Sequence, residues 1–182
     1  MNCFFKNTLY LTMNMLQKII VLLFALSTAC VAFAQREKNN WIYLSKPELR
    51  LYVVTPDDSV LYTCRIACGA VKGHKQAKGD FRTPEGRFFI SGIYDATNWV
   101  HKTRDGRMVK GCYGPLFFSV NTYPWSGIGI HGTNQPNSIG TRASEGCIRV
   151  HSDNVVVLRK YVFEKMRVVV SAENAKTPAF KR

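Results

Sequence analysis

A mainly β domain, sandwich-like or an open barrel, with one late α-helix, is what this 182-residue sequence predicts. Three observations lead there. Apolar residues recur in short runs at period two, the spacing that sends alternate side chains of a strand to one face. Polar, glycine-rich stretches separate these runs. Only one late segment carries the 3.6-residue stripe of an amphipathic helix. Short strands with a single helix bury their apolar faces chiefly against one another. No internal period is visible, which excludes a solenoid or repeat array.

The elements follow in order. "WIYLS" (Trp41 to Ser45) and "ELRLYVV" (Glu48 to Val54) read as strands broken by Lys46-Pro47. "TPDDS" turns the chain, and "VLYTCRIAC" resumes the alternation with Val60, Tyr62, Cys64, Ile66 and Cys68 on one side. "GAVKGHKQAKGDFRTPEG" is a long polar loop, and "RFFISGIYDA" the strand after it. A further loop holds His101 and "TRDG", and "PLFFSVN" and "GIGIH" are the next strands. Ser152 or Asp153 caps a helix expected to run to about Glu164, with Val155, Leu158 and Val162 as its apolar stripe. Three consecutive valines work against a helix there, because β-branched residues resist helix. "MRVVVSA" supplies the closing strand, and residues 173–182 read as a frayed basic tail.

The first 34 residues stand apart. Lys18 precedes the apolar "IIVLLFALSTACVAFA", which ends in the small-residue spacing Ala32-Phe33-Ala34. A basic start, an apolar middle and A-x-A describe a secretory signal over 1–34 cleaved after Ala34, followed by a short linker over 35–40 and a domain over 41–172. A retained membrane anchor and a lipoprotein signal ending at a lipidated Cys30 are the two other readings, and all three place the domain outside the cytoplasm, in the periplasm or cell envelope. The net charge is +13, and only Lys6 and Lys18 among the basic residues would leave with a signal. A basic exported domain suits anionic wall polymers and lipid head groups. Its basic residues are scattered, without the clustered stripe of a nucleic-acid site, so no nucleic-acid partner is expected.

Beyond the leader, Cys64, Cys68, Cys112 and Cys147 are too few for a disulfide scaffold. Cys64 and Cys68 read as small buried sheet residues, either of them within reach of pairing with Cys112. Cys147 is set apart by its context, "HGTNQPNSIGTRASEGCIRVH" (His131 to His151). A thiol attacks a carbonyl as thiolate and needs a base or a positive field nearby. His131 ends a strand. Gly146 lets backbone approach a substrate, and the N–H groups of such a turn suit an oxyanion. Arg149 shares the cysteine's face if "CIRV" is extended, where it would stabilise a thiolate or clamp a carboxylate. Three readings stay open on these residues: a catalytic pair, a zinc site of His131, Cys147 and His151 without the usual paired spacing, and ordinary turns. His74 and His101, in polar loops, read as exposed histidines. The chain has no H-E-x-x-H, G-x-S-x-G or S-x-x-K, so the serines are poor nucleophile candidates.

"IHGT" (Ile130 to Thr133), a glycine-containing spacer and "SEGCIRV" (Ser144 to Val150) closely resemble the signature of the L,D-transpeptidase catalytic domain, also called the YkuD domain. "GDFRTPEGRFFI" resembles that family's Thr-Pro-x-Gly loop, and "LSKPELRLYVV" its first hairpin; the resemblance spans Trp41 to Ser171. It implies a sandwich-like β fold with the helix near the active site. It implies that Cys147 is the nucleophile, that His131 is its base, and that the Gly132 carbonyl orients the imidazole. The Gly146 and Cys147 N–H groups would form the oxyanion hole, with Ser144 and Arg149 completing the motif. The implied partners are peptidoglycan stem peptides: a donor tetrapeptide that loses D-alanine to a thioester, and an amine acceptor that forms a three-to-three crosslink. The terminal D-amino acid can also be exchanged. Other members cut with water as L,D-carboxypeptidases or endopeptidases. The implied role is in wall organisation and cell shape, with no metal or organic cofactor. Glu145 departs from the family, which often has histidine there, and a carboxylate beside sulfur raises its pKa. A catalytically silent wall-binding module is the alternative from a different class.

Overall fold

A computed structural model describes residues 14–37, 39–103 and 105–181, with the backbone alone for 29–37. The chain divides into two units at Glu37/Lys38. The first holds helix α1 (Met15–Glu37), whose described side chains are mostly exposed. No helix among the described residues is long and apolar enough to cross a membrane. Lys6 and the side chains of Cys30 and Ala34, on which the processing alternatives turn, lie outside the described residues. The linker expected over 35–40 is shorter than predicted. Gln35, Arg36 and Glu37, all good helix formers, continue α1.

Among the described residues the second unit has eleven strands: β1 (Trp41–Ser45), β2 (Arg50–Val54), β3 (Val60–Gly69), β4 (Gly86–Asp95), β5 (Val100–Lys102), β6 (Met108–Lys110), β7 (Leu116–Asn121), β8 (Gly129–His131), β9 (Arg142–Ser144), β10 (Ile148–Val150) and β11 (Arg167–Val170). Helix α2 (Ser152–Leu158) lies between β10 and β11. The main sheet runs β10-β8-β7-β4-β11-β1-β2-β3, and β10 also pairs with β3, so the strands close into a ring. Closure removes the open edges that a sheet of this size would otherwise present. β9 adds in parallel to the end of β3, and β5 and β6 form a separate hairpin. This is the mainly β architecture that the alternating runs predict.

Period two explains the core. Ile42 and Leu44 of β1 face the interior with Leu51, Val53, Ile66, Ile90 and Phe118. Trp41 and Tyr43, one residue out of phase, pack outside with Val54, Tyr52 and Phe180. That second cluster overturns the expected frayed tail. Phe180 sits edge-on to Trp41 and Tyr43, and Lys181 bridges to Ser59. Glu173 pairs with the fully buried Lys46 at 2.8 Å and with Arg142. An aromatic ring and a carboxylate with buried partners hold this segment where composition alone suggests fraying.

The late helix is shorter than the stripe predicts, ending at Leu158. Val155, Leu158 and Val162 are all buried as expected. The chain must turn after Leu158 so that Tyr161 and Phe163 reach the core and β11 enters beside β1 and β4. α2 packs on β7 and β8. Cys64, Cys68, Cys112 and Cys147 are free thiols, so the pairing weighed for Cys112 does not form.

Candidate active site

β8 and β10 run parallel, with Ile130 opposite Ile148 and His131 opposite Arg149. On β7, Phe118 faces Ile130 and Phe117 faces His131; on β4, Ile93 faces Phe118 and Tyr94 faces Phe117. Two neighbouring rows therefore cross four strands. Ile93, Phe118, Ile130 and Ile148 point into the core, and Tyr94, Phe117, His131 and Arg149 point the other way. Cys147, two residues before Arg149, falls on the second face. A cavity of about 540 Å³ opens there, lined by Cys147, His131, Arg149, Ser144, Lys75 and Tyr113 among others.

His131 is 3% exposed. Its ring stacks on Phe117 at 5.4 Å and 13°, and Tyr113 meets it edge-on at 5.1 Å. Nδ1 lies 2.6 Å from the Gly132 carbonyl oxygen. A carbonyl only accepts, so the neutral ring carries its proton on Nδ1 and leaves the Nε2 lone pair free to act as a base. Burial, with the nearby charges of Arg149 and His101, lowers the imidazole to about 4 against the opposing pull of the Gly132 carbonyl. The Cys147 thiol donates to the Gly127 carbonyl at 3.3 Å. Burial pushes it up to about 11, and Glu145 adds to the shift; the Gly129 amide, Arg149 and Lys75 oppose it. At neutral pH the resting pair is a thiol and a neutral imidazole, not an ion pair.

The turn that presents Cys147 is braced from within. Gly146 has φ of +136°, and a Cβ there would lie 3.0 Å from the Arg82 carbonyl oxygen and 3.2 Å from Ile128. Its N–H donates to Ser144 Oγ at 3.1 Å, and Ser144 Oγ donates to the Cys147 carbonyl at 2.5 Å. This corrects the expected oxyanion hole. The Gly146 N–H and the Ser144 hydroxyl are engaged in holding the turn, whereas the Cys147 N–H has no partner among the described residues. Thr83 carries the turn from below. Its hydroxyl donates to the Gly146 carbonyl at 2.9 Å and accepts from the Gly69 N–H at 2.9 Å. Arg149 is half-buried and donates to Gln135 Oε1 at 2.9 Å. Glu145 is exposed at the cavity wall.

The sequence profile of the L,D-transpeptidase catalytic domain, YkuD, matches residues 39–170, well over half of the chain. The chain belongs to that family. YqjB of Bacillus subtilis (strain 168), provisionally named an L,D-transpeptidase, is 32% identical over 99 residues, covering 53% of this chain and 56% of its own. The chain spans about half the length of the curated relatives it matches. Among solved structures, an L,D-transpeptidase from Mycobacterium smegmatis superposes with a TM-score of 0.57 at 18% identity, covering 74% of this chain and 59% of its own. The catalytic domain of the Enterococcus faecium L,D-transpeptidase gives 0.54 at 21%, covering 73% and 97%. At these identities the two structures establish the shared L,D-transpeptidase fold.

Within this L,D-transpeptidase domain His74 is exposed and His151 assists the entry of the helix, as their sequence contexts predict, whereas His101 departs from the exposed loop expected of it. His151 caps α2, with Nδ1 accepting from the Asp153 N–H at 3.3 Å, and is not among the residues that line the cavity of His131 and Cys147. His74 accepts from the Glu85 N–H at 3.0 Å. His101 lies on the β5–β6 hairpin, lines the cavity and hydrogen-bonds the Tyr113 hydroxyl at 3.0 Å. Tyr113, His101 and Lys75 were not singled out by the sequence, because they reach the cavity from three separate loops and hairpins. Lys75 is buried, with Nζ 2.7 Å from Asp80.

Proposed function

We propose that this chain is an exported cysteine L,D-transpeptidase acting on peptidoglycan stem peptides. The observation that carries the proposal is the fixed tautomer of His131, whose Nδ1–H is held by the Gly132 carbonyl at 2.6 Å in a cavity shared with Cys147. Nε2 takes the thiol proton as Sγ attacks the carbonyl of the bond between the third stem residue and D-alanine. The C–N bond breaks, the imidazolium returns its proton to the leaving amine, and a thioester remains on Cys147. An amine of a second stem attacks that thioester, His131 takes its proton, and the three-to-three peptide bond forms as the thiol is restored. The Cys147 N–H would face the oxyanion, and Arg149 with Lys75 would supply positive field. Export is supported by the signal-like sequence over 1–34, with cleavage after Ala34.

The test is a purified disaccharide-tetrapeptide incubated with the protein. An acyl adduct mapping to Cys147, release of D-alanine and a crosslinked dimer are expected, all lost in Cys147→Ala. Monomeric tripeptide without dimer would assign water as the acceptor. Turnover that survives in Cys147→Ala would overturn the mechanism.

A further inference from the structure

The face that carries His131 does not end at the cavity. Along the same cross-strand row, Tyr94 of β4 is 47% exposed and its ring lies over Gly92, where a Cβ would come within 2.5 Å of the tyrosine hydroxyl. Phe117 lies over Gly129 in the same way, its ring atoms 2.2 Å from where a Cβ would stand. Gly92, Ser119 and Gly129 are register partners, so a row of small residues forms a floor across β4, β7 and β8 on which both rings lean. Such glycines in strand interiors cost stability unless something approaches closely, and here an aromatic ring does. Trp99, 37% exposed, joins the rings: it lies 5.9 Å from Tyr94 at 38°, 5.3 Å from Phe117 at 37°, and 5.7 Å from Tyr113, which lines the cavity.

We propose that Tyr94 and Trp99 form a shelf for the pyranose rings of the glycan strand whose stem peptide enters the cavity. The occupant's identity rests on the peptidoglycan reading above; the shelf itself rests on geometry. Trp99 packs on Tyr113, which lines the cavity, so the shelf adjoins the cavity and one extended ligand can reach both. Partly exposed aromatic rings in contact with one another mark a binding surface. The apolar C–H face of a pyranose matches two tilted rings, while its hydroxyl and acetamido groups remain free to bond with water or with Asp95, exposed at the end of β4.

A peptide-free β-1,4-linked N-acetylglucosamine tetramer tests the shelf without requiring any chemistry at Cys147. In two-dimensional NMR the Trp99 indole N–H, assigned through Trp99→Phe, should shift saturably, while the buried Trp41 indole, which donates to the Thr55 carbonyl at 3.3 Å, should not. Tyr94→Ala should weaken binding about three- to tenfold, the loss of one ring contact, and Tyr94→Phe should retain it. The absence of a saturable shift, or equal affinity in a folded Tyr94→Ala protein, overturns the shelf. Broadening of shelf resonances with protein concentration, without glycan, would assign the face to a second copy and overturn it also. Tetramer binding with no acyl adduct on Cys147 leaves the shelf standing and removes the transpeptidase reading.

Discussion

Replacing Thr83 by valine removes one hydroxyl and keeps the shape. In the native protein that oxygen satisfies two backbone groups, the Gly69 N–H and the Gly146 carbonyl, both at 2.9 Å from a side chain only 1% exposed. Each buried group left without a partner costs about 1–3 kcal/mol, so the change should destabilise the domain by about 2–6 kcal/mol. That is a large share of the about 5–15 kcal/mol that holds a typical domain together. Thr83→Ser keeps the hydroxyl and loses one methyl, for about 0.8 kcal/mol. Urea unfolding gives the stability difference, and the rate of acyl adduct formation on Cys147 by mass spectrometry gives the local effect. The Gly146 carbonyl belongs to the peptide that leads into Cys147, so acylation should fall further than the population of folded protein accounts for. A Thr83→Val protein within about 0.5 kcal/mol of wild type and acylating normally would refute the idea that this loop carries the cysteine turn.

The remaining predictions concern charge and packing. The imidazole of His131 is lowered from 6.5 to about 4, so between those values the unfolded chain binds a proton that the native chain refuses. Stability should fall as pH drops through that window, by about 3 kcal/mol in full, and His131→Asn should lack this component; matching slopes in the two proteins would contradict it. With the Cys147 thiol pushed up to about 11, iodoacetamide should alkylate it slowly at pH 7 and faster as pH rises toward 11. Alkylation at pH 7 faster than that of a free model thiol would mean a preformed thiolate. Ending the chain after Ala172 removes Glu173 from Lys46 and Phe180 from the outer aromatic cluster, and should cost at least about 2 kcal/mol in urea unfolding, where a frayed tail would cost almost nothing.

What the sequence discloses follows from how local the cause is. β1 is read to its ends because Lys46-Pro47 stops it and its alternation is strong. β9 and β10 are three residues each, too short for a period to register, and only their partners β3 and β8 make them strands. The β5–β6 hairpin hides in a loop for the same reason. His131 and Cys147 stand out by residue type and glycine context. The Gly146 N–H is a different matter: nothing in "SEGC" announces that the serine two residues earlier takes the amide that the resemblance assigns to substrate. The docked tail rests on Phe180 meeting Trp41, a contact across almost the whole domain that no window of sequence contains.

The neutral pair has a chemical consequence of its own. Oxidants and alkylating agents attack thiolates, so a thiol held near 11 is protected from both until a carbonyl arrives to receive it. In the proposed mechanism proton transfer to Nε2 would then accompany attack rather than precede it, and the imidazolium would exist only while the tetrahedral species does. A positive ring beside Arg149 is costly, which would favour rapid return of the proton to the leaving amine. The same burial that lowers the basicity of His131 would thus help to expel the amine in the proposed reaction, and both effects would arise from the Phe117 and Tyr113 rings that enclose the imidazole. Opening that enclosure with Phe117→Ala should raise the imidazole toward its ordinary value and speed alkylation at neutral pH while slowing thioester formation. A variant that gains on both would show that the enclosure serves stability alone.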